Sequence, residues 1–383
     1  MSDPDTVTEI TRTGFGSRLG GSLVGVLIGL LMVVISVPLL WWNEGRAVQA
    51  ATALSQGERS VVEASAGGID NALSGKLVHV TGPLESTGLV RDGTFGVGGR
   101  NVVRLHRSVE MYQWKQSEKT ETHNEVGGGQ TKETTYTYTR VWSATPIDSA
   151  RFHSPNGHQN PQMPLASATI DGNAKLGAYR VDPAVLREMD NFEPFAAGAE
   201  ARAPNGYRAE SDGFYRGANS ASPAIGDVRV TFTAVTAQTM SVVAAQAGNA
   251  LAPFRSDNGY EIKLATPGVA SAIEMLKEQE KSERVLTWIL RAVGFGLMLF
   301  GLWLFAGPVA ALAYILPFLG GLVEAGAFLL AFVIALPATL VIIAVAWLAH
   351  RPLIGGGLLV VGAIVLIGGI VMHHRRRPAK AAT

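Results

Sequence analysis

Five histidines, His79, His106, His123, His153 and His158, lie in the polar middle of the chain. They are its most direct candidates for proton transfer or metal ligation. No His-x-x-x-His or Glu-x-x-His spacing occurs among them, so no helical face presents two ligands together. His153 and His158 flank a Pro155-Asn156-Gly157 turn and could hold a metal if a third ligand joined them; solvated or packed polar side chains are the plainer reading. Gly96-Val97-Gly98-Gly99 lacks the dinucleotide fingerprint, and no Gly-x-Ser-x-Gly, Walker or kinase signature is present. The chain has no cysteine, which excludes disulfides, thiolate metal sites and thiol nucleophiles. Paired carboxylates of the hydrolase kind are not evident, although folding can bring distant ones together. No enzyme, metal or cofactor is expected on these grounds.

A second set of residues draws notice by depth. Asn43-Glu44-Gly45-Arg46 follows directly on a long uncharged stretch, where Glu44 and Arg46 could pair with each other or with lipid headgroups. Arg291 and Glu324 interrupt apolar runs, and an ionisable group inside a span is a functional hypothesis by default. The two sit near opposite ends of their helices, so a direct pair within one subunit is not expected. Snorkelling suits Arg291, and exposure at the cytoplasmic interface suits Glu324. Glu110, Tyr112 and Trp114 alternate onto one strand face, with Met111 and Gln113 opposite. They offer either a partner or lipid surface or, more plainly, hairpin core.

The elements that must position these groups are dominated by apolar helices. A span needs about 20 apolar residues. Residues 19–42 carry no charge and end in Trp41-Trp42, which suits a membrane interface. Further spans are expected at 285–306, 326–349 and 353–372, giving four. Residues 307–325, broken by Pro308 and Pro317, read as an apolar loop or hairpin. Gly21, Gly25 and Gly29 give Gly-x-x-x-Gly twice in the first span, and Gly355-Gly356-Gly357 and Gly368-Gly369 fall in the fourth. Such spacing lets helices approach closely, within one subunit or between subunits.

Residues 43–268 have soluble character, with strand-like runs punctuated by Gly, Pro and Asn. Residues 102–114 and 134–142 read as a long hairpin with a flexible tip at Gly127-Gly128-Gly129. A short helix is expected at 183–191, with Asp182 as N-cap and Pro183 in the first position. Another is expected from 269, capped by Thr266 with Pro267 first, presenting Val269, Ile273 and Leu276 and continuing into the second span as one rod over 269–306. Glu280 and Arg284 form an i,i+4 pair in the favourable order. The fold class is thus an α+β extramembrane domain rich in antiparallel strands, inserted between helix 1 and helices 2–4 of a four-helix transmembrane region.

Only 16% of residues are charged and the net charge is +1, so nothing global suggests nucleic acid. Arg12 and Arg18 precede the first span, and a basic tail at 373–383 follows the last. The positive-inside rule then places residues 1–18 and 373–383 in the cytoplasm and 43–284 outside it.

Several segments together resemble the transmembrane protein 43 family, also called LUMA. These are Trp42-Asn43-Glu44-Gly45-Arg46, Gly75 to Gly82 with His79 within it, Arg107 to Trp114 containing Val-Glu-Met-Tyr-Gln-Trp, and Arg351-Pro352-Leu353. The order of motifs and spans matches along nearly the whole chain. The resemblance implies a membrane organiser that self-associates and partners lipids and other membrane or envelope proteins. Eukaryotic members sit in the endoplasmic reticulum and inner nuclear membrane. The Ala- and Gly-rich composition here looks bacterial, which implies an inner (plasma) membrane. No catalytic residues carry over. The alternatives are a channel or transporter subunit and a membrane-bound enzyme acting on lipid or envelope material.

Overall fold

The computed structural model describes residues 5–198 and 200–350. The expected span at 353–372, the basic tail, and Arg351 and Pro352 lie outside them. The described residues divide into a β-rich unit (5–12, 53–123, 131–198 and 200–279) and a helical unit (13–52, 124–130 and 280–350).

The β-rich unit contains a small closed barrel. Its strands are β2 (Leu77–Ser86), β5 (Ala174–Leu176), β6 (Tyr179–Val181), β9 (Gln238–Ala247) and β10 (Ala250–Ala252). β2 pairs with β9, β9 with β10, β10 with β6, β6 with β5, and β5 returns to β2. The β6–β10 pair is parallel, so the strands are not all antiparallel. Closure leaves no open edge in the ring. It encloses Val78, Val80, Leu84, Leu176, Tyr179, Val242 and Leu251, all buried. β9 is apolar on both faces because Val243, opposite Val242, packs outside the ring with Leu77, Ile262, Met275 and Leu276.

The second sheet is built on the long hairpin of β3 (Val102–Asn124) and β4 (Gln130–Ser143). Its order continues from β3 to β8 (Val228–Thr236), β7 (Gly213–Arg216) and Arg208–Glu210. The register sets Val109 against Val230 and Met111 against Val228. The buried face carries these four with Phe95, Phe214 and Phe232. Within the same unit Asp92 is buried and caps its own turn, accepting the Thr94 and Phe95 N–H groups at 2.9 and 2.8 Å. It also pairs with Arg107 at 2.5 Å.

Several expectations need correcting. The segment read as part of an N-terminal tail forms β1 (Asp5–Thr13), an edge strand on β4. Six of its nine residues are Thr, Val or Ile, which favour extended backbone, a signal masked by attention to its charges. The helix α2 (Pro183–Leu186) stops well short of 191, although Asp182 does cap it through Ala184 N–H at 2.8 Å. The carbonyls of Arg187 and Met189 are taken instead by the Arg104 guanidinium at 3.0 and 2.8 Å. Thr266 and Pro267 end the strand Leu264–Pro267, and Gly268 adopts φ +79°, a left-handed conformation that breaks the run. The helix α3 starts only at Ala272, with Ser271 Oγ accepting from Glu274 N–H at 3.3 Å. Its buried face is Ala272, Met275 and Leu276, while Val269 is 83% exposed.

In the helical unit, α1 spans Phe15–Ser60, α3 Ala272–Leu304, α4 Gly307–Ala313 and α5 Pro317–His350. Pro308 and Pro317 fall in the first turns of α4 and α5, where the missing N–H is not needed, so they start helices rather than break them. Among the described residues α1, α3 and α5 are long and apolar enough to cross a membrane. They pack through Val33, Phe295, Met298, Leu299, Ala331 and Ala335. At Gly29 the backbones of α1 and α3 approach closely, and an added Cβ would lie 2.5 Å from the Gly301 carbonyl oxygen.

Candidate functional site

The charges that sequence reading left apart come together within the helical unit. Glu44, on α1, is 0% exposed, and its carboxylate accepts from Arg291 Nε and Nη2 of α3, both at 2.7 Å. It also accepts from Trp347 Nε1 of α5 at 2.7 Å. This bidentate geometry is the strong form of an arginine–carboxylate pair, and it explains how the charge tolerates burial. Arg46 reaches Glu283 and Thr287 Oγ1, and Asn43 Nδ2 donates to the Thr287 carbonyl at 3.1 Å. Arg291 therefore does not simply snorkel, and Glu44 and Arg46 do not pair with each other. Three helices are joined instead by one polar cluster.

Gly45 makes room for it. A Cβ there would stand 2.7 Å from His350 Nε2, so glycine lets the His350 ring lie against α1 as it does. Trp41 packs edge-on to His350 at 5.6 Å. Beside the cluster lies a cavity of about 210 Å³ lined by Ala47 and Ala51 of α1, by Glu280 to Arg291 of α3, and by Trp347. With Trp42, Trp288 and Trp347 exposed at this level, the site has the aromatic belt of a membrane interface. Farther along the helices, Tyr314 donates its hydroxyl proton to Glu324, and Arg18 lies 3.9 Å from the Tyr314 ring centroid. Glu324 is thus hydrogen-bonded within the subunit.

In the β-rich unit, Glu110, Tyr112 and Trp114 are half-buried and form the open face of β3; Met111 and Gln113 take the buried side. The trio is thus only partly core: Tyr112 packs on Trp142 of the other hairpin strand and Trp114 on His158. Glu110 pairs with Arg229 at 2.6 Å, whose guanidinium lies 4.6 Å from the Trp142 ring centroid, and Tyr112 packs on Trp142 at 5.2 Å. The backbone of Trp114 is bracketed by Asn160 at 2.7 and 2.9 Å. An open groove of about 410 Å³ adjoins Glu110, Trp142, Asp212 and Arg229.

His79 is buried and its Nδ1 meets Glu63 at 2.6 Å. His158 stacks on Tyr138 and reaches Asp5 of β1 at 3.1 Å, while His153 stacks on Tyr136 and lies 3.7 Å from Glu9 of β1. The two histidines thus face different carboxylates, and the described residues contain no group of three metal-ligating side chains.

Tyr215 is held above the ordinary phenol range, first by burial and then by its hydrogen bond to Asp227 at 2.7 Å. A raised folded value means that its stabilisation is complete below the unfolded value of ~10 and is lost as pH rises above it. Thermal unfolding followed by circular dichroism between pH 9 and 11 is expected to show falling stability. Tyr215→Phe should flatten that fall in part, because Tyr179 is raised by burial too.

Three long apolar helices, a buried charge cluster at an aromatic belt, and a barrel-containing β-rich unit define an integral membrane protein with a central β-rich region. The sequence profile of Transmembrane protein 43 matches residues 111–352. The mouse (Mus musculus) Transmembrane protein 43 is 33% identical over 91% of this chain and 90% of its own length. The human (Homo sapiens) protein is 32% identical over 91% and 90%, and the Drosophila melanogaster homolog is 30% identical over 87% and 91%. This chain belongs to the Transmembrane protein 43 family. No solved structure matches it significantly.

Proposed function

We propose that the protein is a membrane scaffold that self-associates and binds partner proteins or lipids through its large extramembrane domain. One observation carries the self-association. Gly25 and Gly29 of α1 are used inside the subunit against Leu304 and Gly301, whereas a Cβ at Gly20 or Gly21 meets nothing within 4 Å among the described residues. Small residues left open on a span permit close approach by a second helix. Native mass spectrometry after gentle extraction into nanodiscs is expected to show a defined oligomer or retained partners. A monomer free of both would overturn the reading.

On this reading residues 43–284 stand outside the cytoplasm and residues 1–18 within it, at the inner (plasma) membrane. A helix that crosses once leaves its two ends on opposite sides, so crossing by residues 19–42 and pairing of β1 with β4 are alternatives. Exposed Lys115, Glu118, Lys119 and Glu121 keep the hairpin out of hydrocarbon. Seven of the nine β1 residues are exposed, so its side chains contribute little to the pairing. Between residues 19 and 42, nine Leu, Ile and Val side chains are at least 40% exposed, and burying each fully in lipid would contribute about 1.5–3 kcal/mol. On this reading insertion releases β1 from β4 and parts the hairpin tip from Ile315, whose carbonyl accepts from Gly127 N–H at 3.1 Å. The absence of cysteine makes the test clean: Thr8→Cys and Val126→Cys, at an 85% exposed position of the hairpin tip, are expected to label from opposite sides. Labelling from one side would overturn this arrangement.

A further inference from the structure

The interfacial cavity beside the Glu44 cluster has a lining that selects among headgroups. Ala47 and Ala51 are one turn apart on α1, and their small side chains leave the space open. The opposite wall presents Glu280, Glu283, Arg284 and Arg291, two charges of each sign. Arg291 uses Nε and Nη2 on Glu44, which leaves its Nη1 uncommitted to that pair. Arg284 is 67% exposed in its side chain and meets Glu280 through Nη2 at 2.9 Å. A carboxylate has about four lone-pair sites, so Glu280 and Glu283 can each take an ammonium beside their arginine partners. An anionic headgroup offers no cationic group to Glu280 and Glu283, which are paired with Arg284 and Arg46. A headgroup with both charges satisfies both walls. A volume of about 210 Å³ is well above the space one water needs and leaves room for a lipid headgroup.

We propose that this cavity binds the headgroup of a zwitterionic aminophospholipid, with the phosphate between Arg284 and Arg291 and the ammonium toward Glu280 and Glu283. The inference rests on the reading of lipids as partners and names the lipid. The exposed Trp288 indole beside the cavity places the headgroup at the depth where phosphates lie.

The full chain should be exchanged into nanodiscs holding equal amounts of phosphatidylethanolamine and phosphatidylglycerol with matched acyl chains, and the lipid retained then read by native mass spectrometry. Phosphatidylethanolamine is expected to be retained about ten-fold over phosphatidylglycerol. Ala51→Leu, which fills the cavity, and Arg284→Gln, which removes a phosphate donor at an exposed position, should each abolish that preference with the circular dichroism spectrum unchanged. Should Ala51→Leu fail to fold, Arg284→Gln alone carries the test. Equal retention of the two lipids, or an undiminished preference in Arg284→Gln, would overturn the proposal. Millimolar glycerophosphoethanolamine is expected not to displace the lipid; displacement would mean that the site serves a free headgroup and would overturn its assignment to a membrane lipid. Subunit number in the same spectra reports on the scaffold reading separately. An oligomer without lipid preference sinks only this inference, and a partner-free monomer with the preference sinks only the other.

Discussion

Glu44→Ala is expected to destabilise the helical unit by about 3–5 kcal/mol, the usual effect of removing one partner from a buried ion pair. The loss arises less from the missing attraction than from what remains. Arg291 would keep its charge at 17% side-chain exposure with no carboxylate, and Trp347 Nε1 would lose its acceptor. Arg291→Ala should be similarly severe, because it leaves a fully buried carboxylate. The double substitution is expected to be milder than the sum of the two, since neither charge is then stranded. Unfolding of the full chain in mixed micelles, followed by Trp fluorescence, measures all three. Additive losses would show that Glu44 and Arg291 act independently and that their bidentate contact does not hold the helices.

The second large effect separates packing within a subunit from packing between subunits. Gly29→Leu is expected to disrupt the α1–α3 contact outright, because the new side chain meets the Gly301 backbone and the Cβ of Leu304 rather than a flexible side-chain end. Overpacking typically costs about 1–3 kcal/mol, and contact with backbone puts this site at or above the upper limit. Gly21→Leu, two helical turns away with open space around it among the described residues, should leave the unfolding midpoint of the subunit unchanged and reduce the oligomer seen by native mass spectrometry. Unchanged oligomer in Gly21→Leu would move the self-association surface off this face of α1.

How much of this was legible in the sequence depended on the range of the interaction. The Asp182 cap and the Glu280–Arg284 pair are local, set by spacing along one element, and both were readable. The long apolar helices were readable because composition alone marks them. The helix start at Thr266 failed at one residue: Gly268 turns left-handed there, and periodicity carries no information about φ. Barrel closure depends on β9 meeting both β2 and β10, a matter of pairing that no strand's own alternation encodes. The site failed for the same reason. Asn-Glu-Gly-Arg was picked out as a motif, and Arg291 as an anomalous charge, yet nothing in either neighbourhood announces the other. Only the rule that an intramembrane charge needs a partner could have prompted a search for it, and Glu44, one residue past a 24-residue uncharged stretch, was the nearest carboxylate in depth.

That separation also sets a schedule for making the protein. Arg291 follows Glu44 by 247 residues, and Trp347 follows it by 303. At a synthesis rate of roughly 5–20 residues per second, Glu44 waits about 10–50 s for its first partner. Throughout that interval the nascent chain holds its first helix with an unmatched carboxylate at the bilayer edge, while the whole β-rich unit is made and folds. The anchor is thus fastened last, by the segment that brings the chain back to the membrane. A nascent chain stalled before Arg291 is a distinct biogenesis intermediate, one in which a quality-control protease or an insertion chaperone would meet a folded domain on an unsecured stem.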